Sequence, residues 1–519
     1  MTTALAIVAF VGLVAAWIPS GLRWLRVAQR EHYLPGATSP FFSRWWSSSF
    51  ANVALAACGG AALVLVALER STGWSVPTSV ASLLLAGVVA IGPLGLSVRG
   101  RTSKLVFTER CRRLTVVTAI VGVVLVAGFS AMSNPLCGAA VVGYLMPLWI
   151  DLSAWLLRRG EDRRAQRFVD RAADRLAEVR PRVVAITGSY GKTSTKRHLA
   201  QLLEGSRATV ATPASFNNRA GLARAINEQL ADGTEVFIAE MGTYGPGEIA
   251  ALCAWIPPEI AVLTAIGPVH LERFGTLEVT LASKAEICEG ARVVVVNADD
   301  DRLAALATSL ESVGRVVRRC SSRDPNAAVA VCRTADGVEV SLDGKVVASG
   351  LNLPGGVQPT NVACAIAAAV ELGVDPAVLA SRLARLEAAD HRAKVQRAPS
   401  GVMVIDDTFN ANPAGAAAAL ATLAGLDAAC RFVVTPGMIE LGSTQAAENE
   451  AFARAAAAVA DVVVVVGRTN RRALRRGLRA GRATVIELAN RPSAVDYIRA
   501  TATARDAVLY ENDLPDHYP

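Results

Sequence analysis

Apolar residues are distributed very differently in the two parts of the chain. Before residue 158, five segments each carry close to the ~20 apolar residues that a membrane-spanning helix requires: about 2–18, 50–68, 79–97, 114–131 and 137–157. Further on, short β-branched runs alternate with Ala-rich stretches, which is typical of α/β domains. The pattern predicts a helical transmembrane module of about five helices at 1–157, followed by a multi-domain α/β region. Buried helices of a soluble core are the alternative, although repeated uncharged runs of this length are rare in soluble folds.

Basic residues cluster in alternate loops between the apolar segments. They are Arg23, Arg26, Arg30 and Arg44 after the first segment, Arg99, Arg101, Lys104, Arg110, Arg112 and Arg113 after the third, and Arg158 and Arg159 after the fifth. The other loops are short and nearly neutral. Because cytoplasmic loops carry the excess of Lys and Arg, we expect the N-terminus outside and the large C-terminal region in the cytoplasm. The first residues lack the basic stretch of a cleaved signal peptide.

The net charge of +8 does not indicate nucleic-acid binding. A nucleic-acid surface would need a basic stripe with aromatic platforms on the soluble region, whereas the basic clusters mostly flank apolar segments. A further arginine run at 163–182 lies on a predicted helical linker. It either contacts anionic headgroups, at about 1 kcal/mol per charge, or is a solvated face. The nine cysteines have no Cys-x-x-Cys spacing, so they support neither a zinc ribbon nor a disulfide framework, and they fit a reducing cytoplasm.

The segment AITGSYGKTSTK, residues 185–196, has the character of a phosphate-binding loop. An apolar strand at 183–186 precedes it, and a helix is predicted from Lys192 onward. Gly188 and Gly191 let the backbone turn its N–H groups inward, Lys192 supplies a positive charge, and Thr193 offers a hydroxyl to Mg²⁺. The spacing is shorter than in the general G-x-x-x-x-G-K-[ST] motif, so a chance Gly-rich turn is the alternative for this segment alone.

Four other residues lie where a ligand crevice is expected. Glu240 ends the apolar strand EVFIAE, and strand ends in open α/β sheets place carboxylates in the crevice. Taken alone, Glu240 is also compatible with an ion pair, His270 with a structural histidine, and Lys284 with a solvated helix lysine. Asn297, after the strand RVVVV, is compatible with a simple turn residue.

Six further segments occur in an order that resembles one enzyme family. They are SFNNRAG at 215–221, AEMGTYGPGEI at 239–249, LTAIGPVHLERFGTLEVTLASKAEI at 263–287, NADD at 297–300, DDTFNANPAG at 406–415 and TPGMIELG at 435–442. Together with the G-x-x-G-K-[ST]-[ST] loop, they resemble the Mur ligases, the ATP-dependent amide-forming enzymes of peptidoglycan assembly. The segments look most like MurF. The resemblance covers about 181–519.

The resemblance implies a catalytic centre that uses ATP and Mg²⁺. In the family, the residue matching Glu240 binds Mg²⁺ beside the γ-phosphate, and the one matching His270 belongs to a second Mg²⁺ site. The lysine matching Lys284 is carbamylated, which turns a cation into a carboxylate-like metal ligand. Lys192 and Thr193 complete the expected catalytic and metal-binding set.

The resemblance also implies nucleotide contacts at Ser194, Asn297, Arg392 and Asp407. Asn297 matches the asparagine that meets adenine, and Arg392 is the candidate phosphate contact of the hinge before the last domain. His391 stands where the family has glycine, which puts the hinge geometry in doubt. Thr408 and Phe409 replace the usual Ser-Tyr after Asp407, while Asn410 and Asn412 shape the same turn.

The implied organisation has four parts. A transmembrane module at 1–157 and a basic helical linker at 158–180 precede a Mur ligase central domain at 181–390, an α/β P-loop ATPase fold. A Rossmann-like α/β C-terminal domain follows at 391–519. The implied reaction forms an acyl phosphate and ADP from a carboxylate and ATP, and an amine then displaces phosphate to give an amide. Closure of a mobile last domain keeps water away from the acyl phosphate.

The substrates stay open at this point. MurF holds its UDP-sugar in an N-terminal domain, and nothing before residue 181 resembles it. The carboxylate substrate is therefore expected to be a cell-wall precursor, either lipid-linked or UDP-linked, and the amine to be D-alanyl-D-alanine, an amino acid or a peptide. The expected location is the bacterial plasma membrane. A ligase for another envelope polymer, such as a capsule or poly-amino acid, is the alternative. A P-loop transport ATPase or an inactive scaffold fits less well.

Overall fold

The computed structural model describes residues 2–68, 76–98, 100, 104–132, 134–213, 216–354, 357–387, 394–408, 412–479, 481–514 and 518. The chain divides into two compact units, one of Met1–Arg164 with Leu514–Pro519 and one of Ala165–Asp513. Arg99 and Arg101 of the second basic cluster lie outside the described residues, as do His391, Arg392, Phe409 and Asn410.

Helices make up the first unit. They are α1 (Thr2–Arg30), α2 (Ser39–Trp46), α3 (Phe50–Leu68), α4 (Val76–Ile91), α5 (Glu109–Met132), α6 (Pro135–Tyr144) and α7 (Met146–Val179), the last of which ends within the second unit's range. Small and aliphatic side chains such as Ala9, Leu13, Leu85 and Ala139 are fully buried between these helices. Small residues at helix contacts are typical of helices that pack within a membrane.

Three of these helices are long and apolar enough to cross a membrane: Thr3–Arg30, Phe50–Leu68 and Glu109–Met132. The expected number of about five is therefore corrected. α4 has 16 residues and ends at Ile91, because Gly92 and Pro93 follow and proline cannot continue a helix. The fifth segment is broken: α6 and α7 meet at 81°, with Pro147 in the first turn of α7. As one broken span, this pair would make four.

The sequence suggested that the first basic cluster lies in a loop, but most of it lies in a helix. α1 continues to Arg30, so Arg23 and Arg26 lie within the helix, where both are buried. The Arg23 guanidinium donates hydrogen bonds to the carbonyls of Ala90 and Gly92 at the end of α4. Helix ends leave such carbonyls without partners, so this arginine serves the packing of the unit.

A mostly parallel sheet forms the first half of the second unit. Its strands are β1 (Arg182–Thr187), β2 (Thr209–Ala211), β3 (Val236–Glu240), β4 (Ile260–Leu263), β5 (Val293–Asn297), β6 (Val316–Ser321), β7 (Val329–Thr334), β8 (Gly337–Leu342) and β9 (Lys345–Leu351), in the order β2-β3-β1-β4-β5-β6-β7-β8-β9. β8 runs antiparallel to both of its neighbours, β7 and β9, and the other described strand pairs of this sheet are parallel. The helices are α8 (Lys192–Leu203), α9 (Arg219–Gln229), α10 (Glu248–Cys253), α11 (Leu271–Phe274), α12 (Leu277–Ala285), α13 (Asp301–Ser312), α14 (Pro359–Glu371) and α15 (Leu379–Leu383).

Both faces of this sheet are buried. Val184 and Ile186 of β1 belong to one hydrophobic core, and Val183 and Ala185 belong to the core on the opposite face. Alternate residues of a strand point to opposite faces, so a strand covered on both sides reads as a continuous apolar run. The strand order changes direction at β1, which has β3 on one side and β4 on the other. Ligands of open α/β sheets bind at such a point, beyond the carboxyl ends of the strands.

A second sheet forms the other half of this unit. It consists of β10 (Lys394–Arg397), β11 (Met403–Asp407), β12 (Arg431–Thr435), β13 (Val462–Val466), β14 (Thr484–Leu488) and β15 (Ala507–Glu511), in the order β10-β11-β15-β12-β13-β14. Only its edge strand β10 is antiparallel among the described strands. The helices are α16 (Pro413–Gly425), α17 (Gln445–Val459), α18 (Arg471–Leu478) and α19 (Arg491–Thr501). The α/β class predicted for the C-terminal region is thus confirmed.

Candidate active site

The phosphate loop predicted from the sequence joins β1 to α8. Gly188 and Gly191 have φ angles of +150° and +81°, in the region that favours glycine. A Cβ at Gly188 would lie 2.1 Å from the Thr264 hydroxyl oxygen, and one at Gly191 would lie 2.3 Å from the Asn361 side-chain oxygen. Both positions therefore require glycine. The loop runs into the N-terminus of α8, where backbone N–H groups and the helix dipole favour an anion.

Lys192 is the first residue of α8, and its ammonium group folds back over the loop. Nζ donates a hydrogen bond to the Gly188 carbonyl at 2.6 Å and lies 3.4 Å from the Ser189 carbonyl oxygen. Ser194 follows in the same turn and is half-buried. The structure thus places a positive charge at the loop, where it can neutralise a phosphate group.

Glu240 is the most heavily engaged side chain at this edge of the sheet. The Thr193 hydroxyl donates to its carboxylate, 3.0 and 3.2 Å from the two oxygens, and Lys196 Nζ forms an ion pair with it at 2.8 Å. Asn217 donates a further hydrogen bond at 3.2 Å, and the Glu240 residue is only 1% exposed. The parallel register pairs Ile186 with Glu240, which brings the end of β3 beside the loop.

Sequence reasoning missed Lys196 and Asn217. Lys196 lies four residues after Lys192, so helical geometry puts both on one face of α8, and this spacing was the available signal. Burial alone would raise the pKa of Glu240. The positive charges of Lys196 and Lys192 and the hydrogen bonds from Lys196 and Asn217 outweigh this effect and lower that pKa. Glu240 is therefore a carboxylate at neutral pH.

Lys284 is not the solvated helix lysine that its position on α12 would suggest. It is 3% exposed, and its Nζ lies 5.8 Å from the centre of the Phe274 ring. Burial, helped by the positive charge of Lys192, lowers its pKa from 10.5 to about 7. A substantial part of this amine is thus neutral at physiological pH, and the charge of the phosphate loop acts on it.

The side chain of His270 is hydrogen-bonded to a residue that follows a strand of the second sheet. His270 has a φ of +58° and precedes α11, and its Nδ1 is hydrogen-bonded to the Glu440 carboxylate of the second sheet's region. The Tyr244 ring packs edge-on against it at 5.1 Å between centroids. Among the described residues, no three His, Cys, Asp or Glu side chains form a cluster that could hold a metal.

The expected nucleotide contacts lie at the ends of two other strands. Asn297 ends β5, and its amide donates to the Thr264 carbonyl at 2.9 Å while its oxygen accepts from the Asp299 N–H at 3.0 Å. Its side chain thereby shapes the turn. Asp407 ends β11 and is 6% exposed. Arg392 lies outside the described residues, so the structure gives it no position.

A second buried carboxyl lies beside Asp407 and was not anticipated. Glu511 ends β15 and pairs in register with Asp407. It is fully buried, and burial raises its pKa to about 8, against a hydrogen bond from Thr435 and with the help of the Asp407 charge. Two acidic residues on adjacent strand ends are visible in the sequence only once the strand order β11-β15-β12 is known.

Comparison with known proteins agrees with this geometry. A family model described as the Mur ligase middle domain matches residues 186–369, and one described as the Mur ligase, glutamate ligase domain matches residues 391–510. The UDP-N-acetylmuramoyl-tripeptide–D-alanyl-D-alanine ligase of Mycobacterium leprae is 32% identical over 364 residues, 63% of this chain and 70% of that protein. The chain belongs to the Mur ligase family. Mur ligases are ATP-dependent, ADP-forming ligases.

Two further relatives show how far the likeness extends. The ligase of the same name from Mycobacterium tuberculosis (strain ATCC 25618 / H37Rv) is 35% identical over 309 residues, 55% of this chain and 58% of that protein. The crystal structure of MurF from Thermotoga maritima in complex with ADP has a TM-score of 0.58 and 26% identity, and the match covers 67% of this chain and 80% of that one. The family models begin at residue 186, after the helical unit.

This Mur ligase combines a glycine-bounded loop with two lysines in different environments. Lys192 is a cation over the loop, whereas Lys284 is buried and readily loses its proton. Thr193 and Glu240 provide a hydroxyl and a carboxylate in direct contact. Such oxygen groups suit Mg²⁺. The arrangement can neutralise and orient phosphates at one end of a crevice.

The lowered pKa of Lys284 predicts a pH-dependent contribution to stability. Between about pH 7 and 10.5 the unfolded chain holds a proton on this amine that the folded chain has lost, so the free energy of unfolding rises with pH in this window. Thermal unfolding of the wild type and of Lys284→Met is measured in CO₂-free buffer from pH 7 to 10. We expect the unfolding temperature of the wild type to rise relative to that of the variant as the pH increases. Parallel curves would show that Lys284 keeps an ordinary pKa.

Proposed function

We propose that this chain is a membrane-bound, MurF-like ligase that joins an amine to a carboxylate of a cell-envelope precursor. The observation that carries the proposal is the contact of Thr193 and Lys196 with the buried Glu240 carboxylate at the head of the phosphate loop. A buried carboxylate fixed in this way beside Lys192 serves a metal–phosphate site, and it has no evident purpose in the packing of an apolar core.

The residues present fit Mg²⁺ and ATP. Side chains at Gly188 and Gly191 would collide with Thr264 and Asn361, so glycine is retained at both positions and the loop N–H groups can face a phosphate. Thr193 and Glu240 would hold Mg²⁺ through oxygen atoms, and His270 is the candidate for a second ion. When bound, the ions neutralise the charge that builds up on the transferred phosphoryl group. Lys192 orients the phosphates, and Asn297, Arg392 and Asp407 are the proposed contacts of the rest of the nucleotide.

Lys284 is proposed to be carbamylated. The neutral amine adds to CO₂ and releases one proton, which leaves a carbamate with a negative charge. Its pKa of about 7 makes the neutral amine available at physiological pH, so the first requirement of this reaction is met. The nearby Lys192 charge, which disfavours an ammonium at this position, favours a carbamate there. The product would supply a carboxylate-like oxygen to the metal site.

The reaction proceeds in two steps without a covalent enzyme nucleophile. A substrate carboxylate oxygen attacks the γ-phosphorus of ATP, the bond to the β-phosphate oxygen breaks, and an acyl phosphate and ADP result. The incoming amine then attacks the acyl carbon, loses a proton, and expels phosphate. The chain's own contribution is positioning and charge neutralisation at the loop. Exclusion of water protects the acyl phosphate between the steps.

The substrates are proposed from the relatives. The names of the two mycobacterial ligases identify a UDP-N-acetylmuramoyl-tripeptide and D-alanyl-D-alanine as the substrates of those enzymes. The same carboxylate and amine classes suit this chain. In the part of the chain that the structure describes, three apolar helices that are long enough to span a membrane precede the ligase domains. We therefore propose that the enzyme lies in the bacterial plasma membrane with its ligase domains in the cytoplasm, and that it takes the carboxylate from a lipid-linked precursor.

Removal of single charges at the site tests the assignment. Lys192→Ala, Glu240→Gln and His270→Ala should each lower ATP-dependent ligation by at least about 100-fold, because each group acts on the charge of phosphoryl transfer. Glu240→Gln is preferred to alanine, since complete loss of this partner leaves the buried Lys196 uncompensated. Ligation and ADP release are measured together. The exposed Lys345→Ala is the control for loss of a lysine. Full ligation by Lys192→Ala would contradict the assignment.

The carbamate at Lys284 has its own test. Lys284→Ala should lose activity and regain part of it when formate or acetate is added, because the missing group is a negative oxygen ligand. Addition of methylamine serves as the matched control, since it would restore a lost cation and not a lost carbamate. A fully active Lys284→Arg enzyme would rule out carbamylation.

A comparison of the intact protein with a fragment tests the role of the helical unit. If this unit contributes to substrate binding, the compact unit from Ala165 onward should still bind ATP but turn over poorly, because binding energy from the remote part of the substrate is lost. Intact protein and fragment are compared on a polyprenyl-diphosphate-linked precursor and on its UDP-linked counterpart. Equal rates for both on the UDP-linked substrate would reduce the helical unit to an anchor.

A further inference from the structure

The contact between His270 and Glu440 joins the two sheet regions of the second unit. Glu440 follows β12 in the second region, whereas His270 follows β4 in the first. The side chains are hydrogen-bonded through Nδ1 of His270 and Oε2 of Glu440. A backbone hydrogen bond runs beside this pair, from the Leu271 N–H to the Glu440 carbonyl at 2.9 Å. Residues far apart in the chain thus meet through both side chains and main chain.

The backbone at this contact is unusual on both sides. His270 has a φ of +58° and Glu440 a φ of +64°, and few residues other than glycine adopt this region. Gly442 has a φ of +57°, and a Cβ added there would lie 3.2 Å from the Leu271 carbonyl carbon. Strained backbone persists where the surroundings enforce it, and it concentrates at functional sites. An incidental surface ion pair would not require such conformations on both partners.

The His270 ring is fixed by more than one neighbour. Tyr244 packs edge-on at an interplanar angle of 70°, and the Arg273 guanidinium lies over the Tyr244 ring at 4.6 Å. When Nδ1 donates this hydrogen bond to the Glu440 carboxylate, the lone pair of a neutral His270 ring lies on Nε2. A carboxylate that binds one ring nitrogen of a metal-ligating histidine fixes its tautomer and orientation.

We propose that Glu440 is a positioning residue that presents Nε2 of His270 to the second metal site, so that this site is complete only while the two sheet regions are in contact. The inference rests on the proposed function, since it takes His270 as a metal ligand. Its consequence is that closure of the C-terminal region and completion of the metal site are one event. Phosphoryl transfer then waits for the arrangement that excludes water from the acyl phosphate.

The test measures metal binding apart from turnover. Mn²⁺ is titrated into the full-length protein with saturating ADP and followed by electron paramagnetic resonance, and the Mg²⁺ dependence of ligation is measured in parallel. Glu440→Ala should weaken Mn²⁺ binding about 10- to 100-fold, as is usual when the outer partner of a metal-bound histidine is lost. Glu440→Gln keeps an oxygen acceptor and should restore most of the affinity. ADP affinity should stay unchanged in both variants.

The double variant separates positioning from general loss of structure. In the His270→Ala background, Glu440→Ala should have no further effect on Mn²⁺ binding, since the ligand that it orients is already absent. Glu487→Gln is the matched control, because Glu487 is a similarly half-buried carboxylate of the second sheet that pairs with Arg475. It should behave as the wild type.

Each outcome bears on the inference. Unchanged Mn²⁺ binding in Glu440→Ala would overturn the inference. It would also be overturned if Glu440→Ala weakened Mn²⁺ binding equally in the wild-type and in the His270→Ala background. If Glu440→Ala fails to fold, the Glu440→Gln and His270→Ala variants test the inference instead. Normal Mn²⁺ affinity in His270→Ala would overturn the inference. Absence of ATP-dependent ligation by the wild type would refute the proposed function itself. Loss of ligation in Lys192→Ala together with normal Mn²⁺ binding in Glu440→Ala would overturn the positioning role alone.

Discussion

The buried Glu240 carboxylate is the interaction on which the arrangement of the site depends. An ionised carboxylate at 1% exposure is costly unless charges and hydrogen bonds compensate it. Lys196, Thr193 and Asn217 provide that compensation from α8 and the segment before α9. Each of them is thereby fixed against the end of β3. The requirement to satisfy one charge thus sets the position of the phosphate loop's helix relative to the sheet.

The positive charge near the loop has a second effect at a distance. Lys192 helps to hold Glu240 ionised and at the same time helps to lower the pKa of Lys284. One charge therefore has opposite effects on the charge states of its two neighbours, since it stabilises an anion and destabilises a cation. Burial is the larger cause of the lowered pKa of Lys284, and the charge of Lys192 adds to it. The result is a site that favours negative groups at positions where metal ions are expected to bind.

Much of this could be predicted from the sequence, but only where the signal is local. The strand, loop and helix around Gly188 and Gly191 follow from residue types and spacing, and Glu240 follows from its position at a strand end. Lys196 was overlooked although its helical spacing was visible. Glu440 and Glu511 could not be found, because their neighbours are set by strand order and by contact between distant segments. The helical unit gives two more examples, the break before Pro147 and the burial of Arg23. Hydropathy indicates where the apolar segments lie, but the ends of the helices depend on packing that the sequence does not show.

The contact between the sheet regions stabilises His270 and Glu440 in conformations with positive φ angles. If His270 lay in a relaxed turn, its ring could rotate freely, and the second region would not fix the orientation that we propose for metal binding. Because both residues have positive φ angles and share side-chain and backbone hydrogen bonds, separation of the regions would release both together. The strain is then tied to the closed arrangement. In the proposed mechanism, a ligase that forms an acyl phosphate would gain from this coupling, since the step that creates the intermediate would require the same contact that shields it.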